Sequence, residues 1–166
     1  LLESYKKKMD PKSHLEQQFV LLNDILASPM SYSPEDRLAH LEAAIRLTCP
    51  NYNEDSIPKI ISYEEIIILN NIAGCYQSMH DFQKAIHILS LIKKHYENGM
   101  LNPEEILRTQ PLILYNLSKC LGLAARYEEC IETCNLGIRI ARETGRCSFL
   151  ERMLYNKAWS LTKRNQ

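Results

Sequence analysis

Apolar residues return every three or four positions along most of the chain, and clusters of turn-forming residues separate the runs. Leu15, Phe19, Leu22, Ile25 and Leu26 predict an amphipathic helix over about residues 13–27, closed by Ser28-Pro29. Ser33-Pro34-Glu35-Asp36 then supplies an N-cap, a proline at the first helical position and two acids in the first turn. The helix it starts runs to about Thr48, with Leu38, Leu41, Ala44, Ile45 and Leu47 on its apolar face. Residues 49–61 hold Pro50, Asn51, Asn53, Asp55 and Pro58, too many breakers for a long helix, while Ile57, Ile60 and Ile61 can pin the segment down as an ordered connector.

From Ser62 the pattern becomes a hairpin. Ser62 and Glu65 form a capping box, Leu69, Ile72, Ala73 and Tyr76 follow at helical spacing, and Met79-His80-Asp81 is a short turn. The return helix, about residues 82–96, carries Ala85 and Leu89 and is ended by Asn98-Gly99. This large, small, aromatic, then alanine spacing is that of a tetratricopeptide helix pair. Asn102-Pro103-Glu104-Glu105 opens the next helix, in which Pro111 predicts a bend, since proline in an unadapted helix interior costs about 3 kcal/mol. Its packed part is 112–123. Ala124-Ala125-Arg126 makes a second turn, and 127–144 returns with Ile131, Leu136, Ile138 and Ile140 until Gly145 stops it. A last helix begins at Cys147 or Ser148 and carries Phe149, Leu150, Leu154, Ala158 and Leu161.

A shift of 45 residues lays Ile68 on Ile113, Leu69 on Leu114, Asn71 on Asn116, Cys75 on Cys120, Phe82 on Tyr127 and Ile86 on Ile131. A further 40 lays Leu114, Tyr115 and Asn116 on Leu154, Tyr155 and Asn156. A hairpin cannot bury its own apolar face, so repetition implies stacking. The expected fold is all-α: antiparallel helical hairpins stacked as a tetratricopeptide-like right-handed superhelix of about seven helices, without strands. Residues 1–12, with Lys6 to Lys8 and Pro11, are expected as a linker or disordered start, and 13–166 as one domain.

In this architecture the first helix of each pair lines the concave surface. Asn71, Asn116 and Asn156 then share that surface, where side-chain amides can hold the main chain of an extended peptide with little regard to its sequence. Asn70, Gln77, Tyr115, Lys119, Arg152, Tyr155 and Trp159 complete a groove of polar hooks and aromatic walls. Plainer roles exist for each. An asparagine here also serves to hydrogen-bond the adjacent hairpin, Tyr115 and Tyr155 to pack between repeats, Trp159 to cap the stack or meet a second copy, and Lys119 and Arg152 as solvated charges.

Charge narrows the function classes. The 20 basic and 20 acidic side chains cancel, so the chain lacks the basic excess of a self-sufficient nucleic-acid binder. No apolar run approaches the roughly 20 residues needed to span a bilayer, and the N-terminal residues lack a leader pattern, which points to the cytoplasm. A start at Leu1 suggests a domain cut from a longer protein. Cys49, Cys75, Cys120, Cys130, Cys134 and Cys147 form no C-x-x-C pair and are expected as buried thiols rather than disulfides or metal ligands. Phosphate-loop, dinucleotide, nucleophile-elbow and H-E-x-x-H motifs are all missing, and Glu64-Glu65, Glu104-Glu105 and Glu128-Glu129 sit at helix starts, where they complement the dipole. An enzyme, a cofactor and a metal are therefore not expected.

The segments LTCPNYNEDSIPKIISYEEIIILNNIA, PLILYNLSKCLGLAARYEECIE and MLYNKAWSL together resemble the C-terminal helical-repeat region of Xre-type helix-turn-helix transcription regulators related to the Rgg and PlcR peptide-pheromone receptors. The resemblance spans about residues 15–163. It implies a sensor domain that binds a short signalling peptide in its concave groove and helps form a homodimer, with inner-helix asparagines, matched here by Asn71, Asn116 and Asn156, on the peptide backbone. DNA contact would come through a helix-turn-helix domain not present in this chain. The competing expectation is a general tetratricopeptide adaptor that takes another protein's tail; its carboxylate-binding form wants a lysine where Asn70 and Gly74 stand, although Arg152 would suit it.

Overall fold

The computed structural model describes residues 2–27, 31–53, 55, 61–97 and 102–165. Eight helices occupy them: α1 (Leu2–Lys6), α2 (His14–Ala27), α3 (Pro34–Thr48), α4 (Tyr63–Ser78), α5 (Phe82–Glu97), α6 (Pro103–Leu123), α7 (Tyr127–Thr144) and α8 (Leu150–Arg164). No extended strand runs among the described residues. From α1 onward each helix packs on the next, and α4, α6 and α8, the first helices of successive hairpins, also touch in series. The molecule is thus the expected tetratricopeptide-like stack, and its three first helices make one continuous face.

The middle hairpin is the centre of the core. Ile66, Ile68, Leu69 and Ile72 of α4, Ile88, Leu89 and Ile92 of α5, and Ile113 and Leu114 of α6 are fully buried. At about 1.5–3 kcal/mol for each large apolar side chain taken out of water, this contact drives the stacking.

Helix ends follow the local sequence. Ser33 accepts from the Asp36 N–H, Asn102 accepts from the Glu104 N–H, and Ser62 with Glu65 closes a reciprocal capping box. Glu65 does more than cap: its other oxygen accepts from the Thr48 hydroxyl at 2.5 Å, and Thr48 in turn accepts from Gln18 at 2.6 Å. One polar chain, buried at Gln18 and Glu65 and half-buried at Thr48, therefore ties α2, the end of α3 and the start of α4 together.

The two hairpin turns are copies. Asp81 N donates to Tyr76 O and His80 N to Gln77 O at 2.9 and 3.1 Å; Arg126 N donates to Leu121 O and Ala125 N to Gly122 O at 2.9 and 3.0 Å. Each is a Schellman closure, and its left-handed residue is His80 (φ 62°) in one turn and Ala125 (φ 58°) in the other. The 45-residue repeat is therefore present in backbone geometry as well as in residue type.

Several local expectations are corrected. The opening segment carries the short helix α1, whose Tyr5 ring meets Phe19 at 5.3 Å and whose Lys6 pairs with Asp24 at 2.9 Å, so the described helices number eight. In α2, Leu15, Phe19 and Leu26 are exposed and Gln18 is buried instead, because its amide finds Ala44 O and Thr48 across the hairpin. α6 is a single helix from Pro103 to Leu123 with Pro111 inside it. α8 starts at Leu150, with Phe149 in the left-handed region as its N-cap residue. Ile61 is buried as a pin for the connector, whereas Pro58, Ile57, Ile60, Ser28-Pro29 and Asn98-Gly99 lie outside the described residues. All six cysteines are free; Cys75, Cys120, Cys130 and Cys134 are buried, Cys49 is half-buried and Cys147 is exposed.

Candidate functional site

The face made by α4, α6 and α8 carries the asparagines that the repeat aligns, but they are not equivalent. Asn71 turns its amide back to Ile67 O on its own helix at 2.8 Å. Asn116 donates across to Asn70 Oδ1 on α4 at 2.7 Å, and Asn156 donates across to Ser118 Oγ on α6 at 3.0 Å. Ser118 is buried, and its hydroxyl donates in turn to Tyr115 O at 2.8 Å. Gln77 reaches the same seam, its Oε1 accepting from the Cys120 thiol at 3.7 Å. Amide hydrogen bonds thus stitch α4 to α6 and α6 to α8, the adjacent-hairpin role open to the asparagines, and each amide keeps hydrogen-bonding capacity beyond that one bond.

Beyond Asn156 the face opens into a cavity of about 610 Å³ between α6, α7 and α8. Tyr115, Lys119, Arg152, Tyr155, Asn156 and Trp159 line it, while Asn70, Asn71 and Asn116 do not. Its walls are built from unusual local packing. A Cβ added to Gly122 would stand 3.1 Å from the Trp159 ring, so the glycine lets the indole lie on the α6 backbone. Tyr127 meets the indole edge-on at 5.9 Å. Tyr115 stacks on Phe149 at 5.4 Å and 15°, and the Arg152 guanidinium lies 5.5 and 5.7 Å from the two rings.

Sequence reasoning missed Ser118, Gly122, Leu123, Cys130 and Glu151 as further lining residues, and Phe149 as the support for Arg152. Gly122 carried a legible signal, because glycine inside a helix costs about 1 kcal/mol relative to alanine and needs a reason. Cys130 sits against Asn156 O at 3.9 Å, one turn from Cys134. A hydrogen bond from the Cys134 thiol favours ionised Cys130, and the shared proton raises the Cys134 pKa in return. Burial pushes the Cys120 thiol up to about 11, which keeps it an inert packing group.

Electrostatically the cavity is cationic at its rim. Lys119 and Arg152 face one acid, Glu151, and neither cation is ion-paired with any described residue. Among the described residues no helix is long and apolar enough to cross a membrane.

A family model described as the RNPP family C-terminal domain matches residues 38–166. No curated protein and no solved structure matches the chain. The matched segment takes in most of α3 and all of α4 to α8, which holds both the stitched face and the cavity. The chain belongs to the RNPP family, through its C-terminal domain.

Proposed function

We propose that the α4–α6–α8 face binds a short signalling peptide in extended form, and that the chain is the ligand-sensing and dimerising part of a cytoplasmic transcription regulator. Membership of a family of regulatory rather than catalytic domains supports this reading. The observation that carries it is continuity: the amide row Asn70, Asn116 and Asn156 runs along touching helices and leads into the 610 Å³ cavity, a size within the roughly 300–1,000 Å³ typical of ligand pockets. Amides offer a peptide backbone both donors and acceptors, and the cavity offers room for a side chain. DNA contact belongs to a helix-turn-helix domain outside this chain, in keeping with a net charge of zero.

The test is affinity selection from a pool of random unmodified octapeptides on the full chain, followed by calorimetry of the recovered sequences. Asn116→Ala should weaken a selected peptide by about 1–3 kcal/mol, the cost of leaving buried peptide groups unpaired. Enrichment no stronger than on a folded Asn116→Ala, Asn156→Ala double variant would sink the reading. Sedimentation equilibrium checks the dimer, and a monomer across the micromolar range would remove that part.

A further inference from the structure

We propose that the α6–α7–α8 cavity receives a bulky apolar side chain of the bound peptide together with a carboxylate beside it, the carboxylate pairing with Lys119 and Arg152. The proposal rests on the peptide-binding reading of this face and specifies which peptides it accepts. The walls argue for the apolar part. Tyr115, Leu123, Tyr155 and Trp159 surround the space, and Leu123 and Tyr155 remain 47% and 69% exposed, an arrangement that water disfavours and an apolar guest relieves. The rim argues for the anion. Lys119 and Arg152 outnumber Glu151, and Arg152 is held over Tyr115 and Phe149 instead of being spent on an internal ion pair. α8 also begins at this rim without a side-chain cap, so the positive end of its dipole adds to the two cations. A guanidinium fixed on aromatic rings is poised for a carboxylate at little entropic cost.

The carboxylate has two possible sources, the peptide's C-terminus or an acidic side chain next to the apolar one, and the experiment separates them. Trp159 is the single tryptophan of the chain, so its fluorescence, excited apart from the tyrosines, reports on this cavity directly. Four acetylated tetrapeptides serve as probes: three alanines then phenylalanine as the free acid, the same peptide as the amide, two alanines then glutamate and phenylalanine as the amide, and tetra-alanine as the free acid. The expected result is a saturable Trp159 response to at least one carboxylate-plus-phenylalanine probe, at least about tenfold tighter than to the phenylalanine amide or to tetra-alanine. A response to the free acid alone assigns the C-terminus, and a response to the glutamate amide assigns a side chain. Lys119→Gln combined with Arg152→Gln should abolish the preference with the fold intact by circular dichroism, and Arg152→Lys should restore part of it.

Equal binding of the phenylalanine acid, its amide and the glutamate amide, equal binding of tetra-alanine, a preference that survives the double variant, or silence of Trp159 at millimolar probe would each overturn the proposal. Peptides from the random pool distinguish this failure from a broader one. If their affinity depends on Asn116 but ignores Lys119→Gln and Arg152→Gln, the cavity assignment falls and the peptide reading stands. If no peptide is selected, the peptide reading falls, and the tetrapeptide titration still decides what the cavity accepts.

Discussion

Asn116 on α6 and Asn70 on α4 are joined by a single amide-to-carbonyl hydrogen bond of 2.7 Å, made between residues 46 positions apart in the chain. Both side chains are half-buried, so neither amide is fully supplied by water when the bond is lost. A double-mutant cycle of Asn70→Ala and Asn116→Ala should give a coupling of about 0.5–1.5 kcal/mol in urea unfolding. Asn71→Ala should cost less, since that amide is bonded within its own helix, to Ile67 O. A coupling indistinguishable from zero would remove the stitch from the account of how α4 and α6 are held.

Two glycines in helix interiors predict opposite signs. Nothing lies within 4 Å of a Cβ added to Gly74, so Gly74→Ala should stabilise by about 0.5–1 kcal/mol through helix propensity and a less flexible unfolded chain. At Gly137 the added Cβ would lie far inside contact distance of the Met153 sulfur, so this fully buried side chain would have to leave its position. Gly137→Ala should therefore destabilise by about 1–3 kcal/mol. Thermal melts of the two variants should move in opposite directions, and a shared direction would contradict the packing of α7 on α8.

The left-handed residues of the twin turns offer a third test. His80 and Ala125 hold φ of 62° and 58°, a region costing an L-residue about 1–2 kcal/mol that glycine avoids. Ala125→Gly should stabilise by a few tenths to about 1 kcal/mol, because part of the relief is returned as extra unfolded-state entropy. His80→Gly should gain less, since the histidine ring packs edge-on against Phe82 at 5.8 Å. Denaturant midpoints at constant slope read both.

His95 gives the pH dependence. It is buried on α5, its Nε2 has no hydrogen-bond partner among the described residues, and burial holds its pKa below the ordinary value of 6.5. Above that value both folded and unfolded histidine are neutral, so this group adds no slope. Below it the unfolded chain takes up the proton first, and stability falls with falling pH until the folded pKa is passed. The limit is one proton, about 1.4 kcal/mol for each pH unit. Unfolding curves of the parent and of His95→Gln between pH 7.5 and 5.5 should diverge in slope by up to that amount; parallel curves would show that the imidazole is hydrated.

What was legible in the sequence was what neighbours in the chain decide. Ser33, Ser62, Asn102 and Gly145 cap within one turn of themselves, and each does so as its residue type requires. The repeat register was legible for the same reason, since it needs only comparison of the chain with itself. Gln18 was not, because a glutamine is buried only when a partner exists, and its partners Ala44 and Thr48 lie 26 and 30 residues away. The asparagines divide along this line. Their shared face followed from spacing, but Asn116 and Asn156 reach back 46 and 38 residues to partners fixed by how far one hairpin slides on the last. Phe149 and Gly122 shape the cavity through a stack and a close approach that only the assembled helices create.

The amide seam is the smaller part of what holds successive coils together. Asn116 with Asn70 and Cys120 with Gln77 join α4 to α6 beside a core in which Ile66, Ile68, Leu69, Ile113 and Leu114 are fully buried. At about 1.5–3 kcal/mol for each large apolar side chain against about 0.5–1.5 kcal/mol for each hydrogen bond, the apolar contact sets the distance between the helices, and the amides decide the register at which one slides on the next.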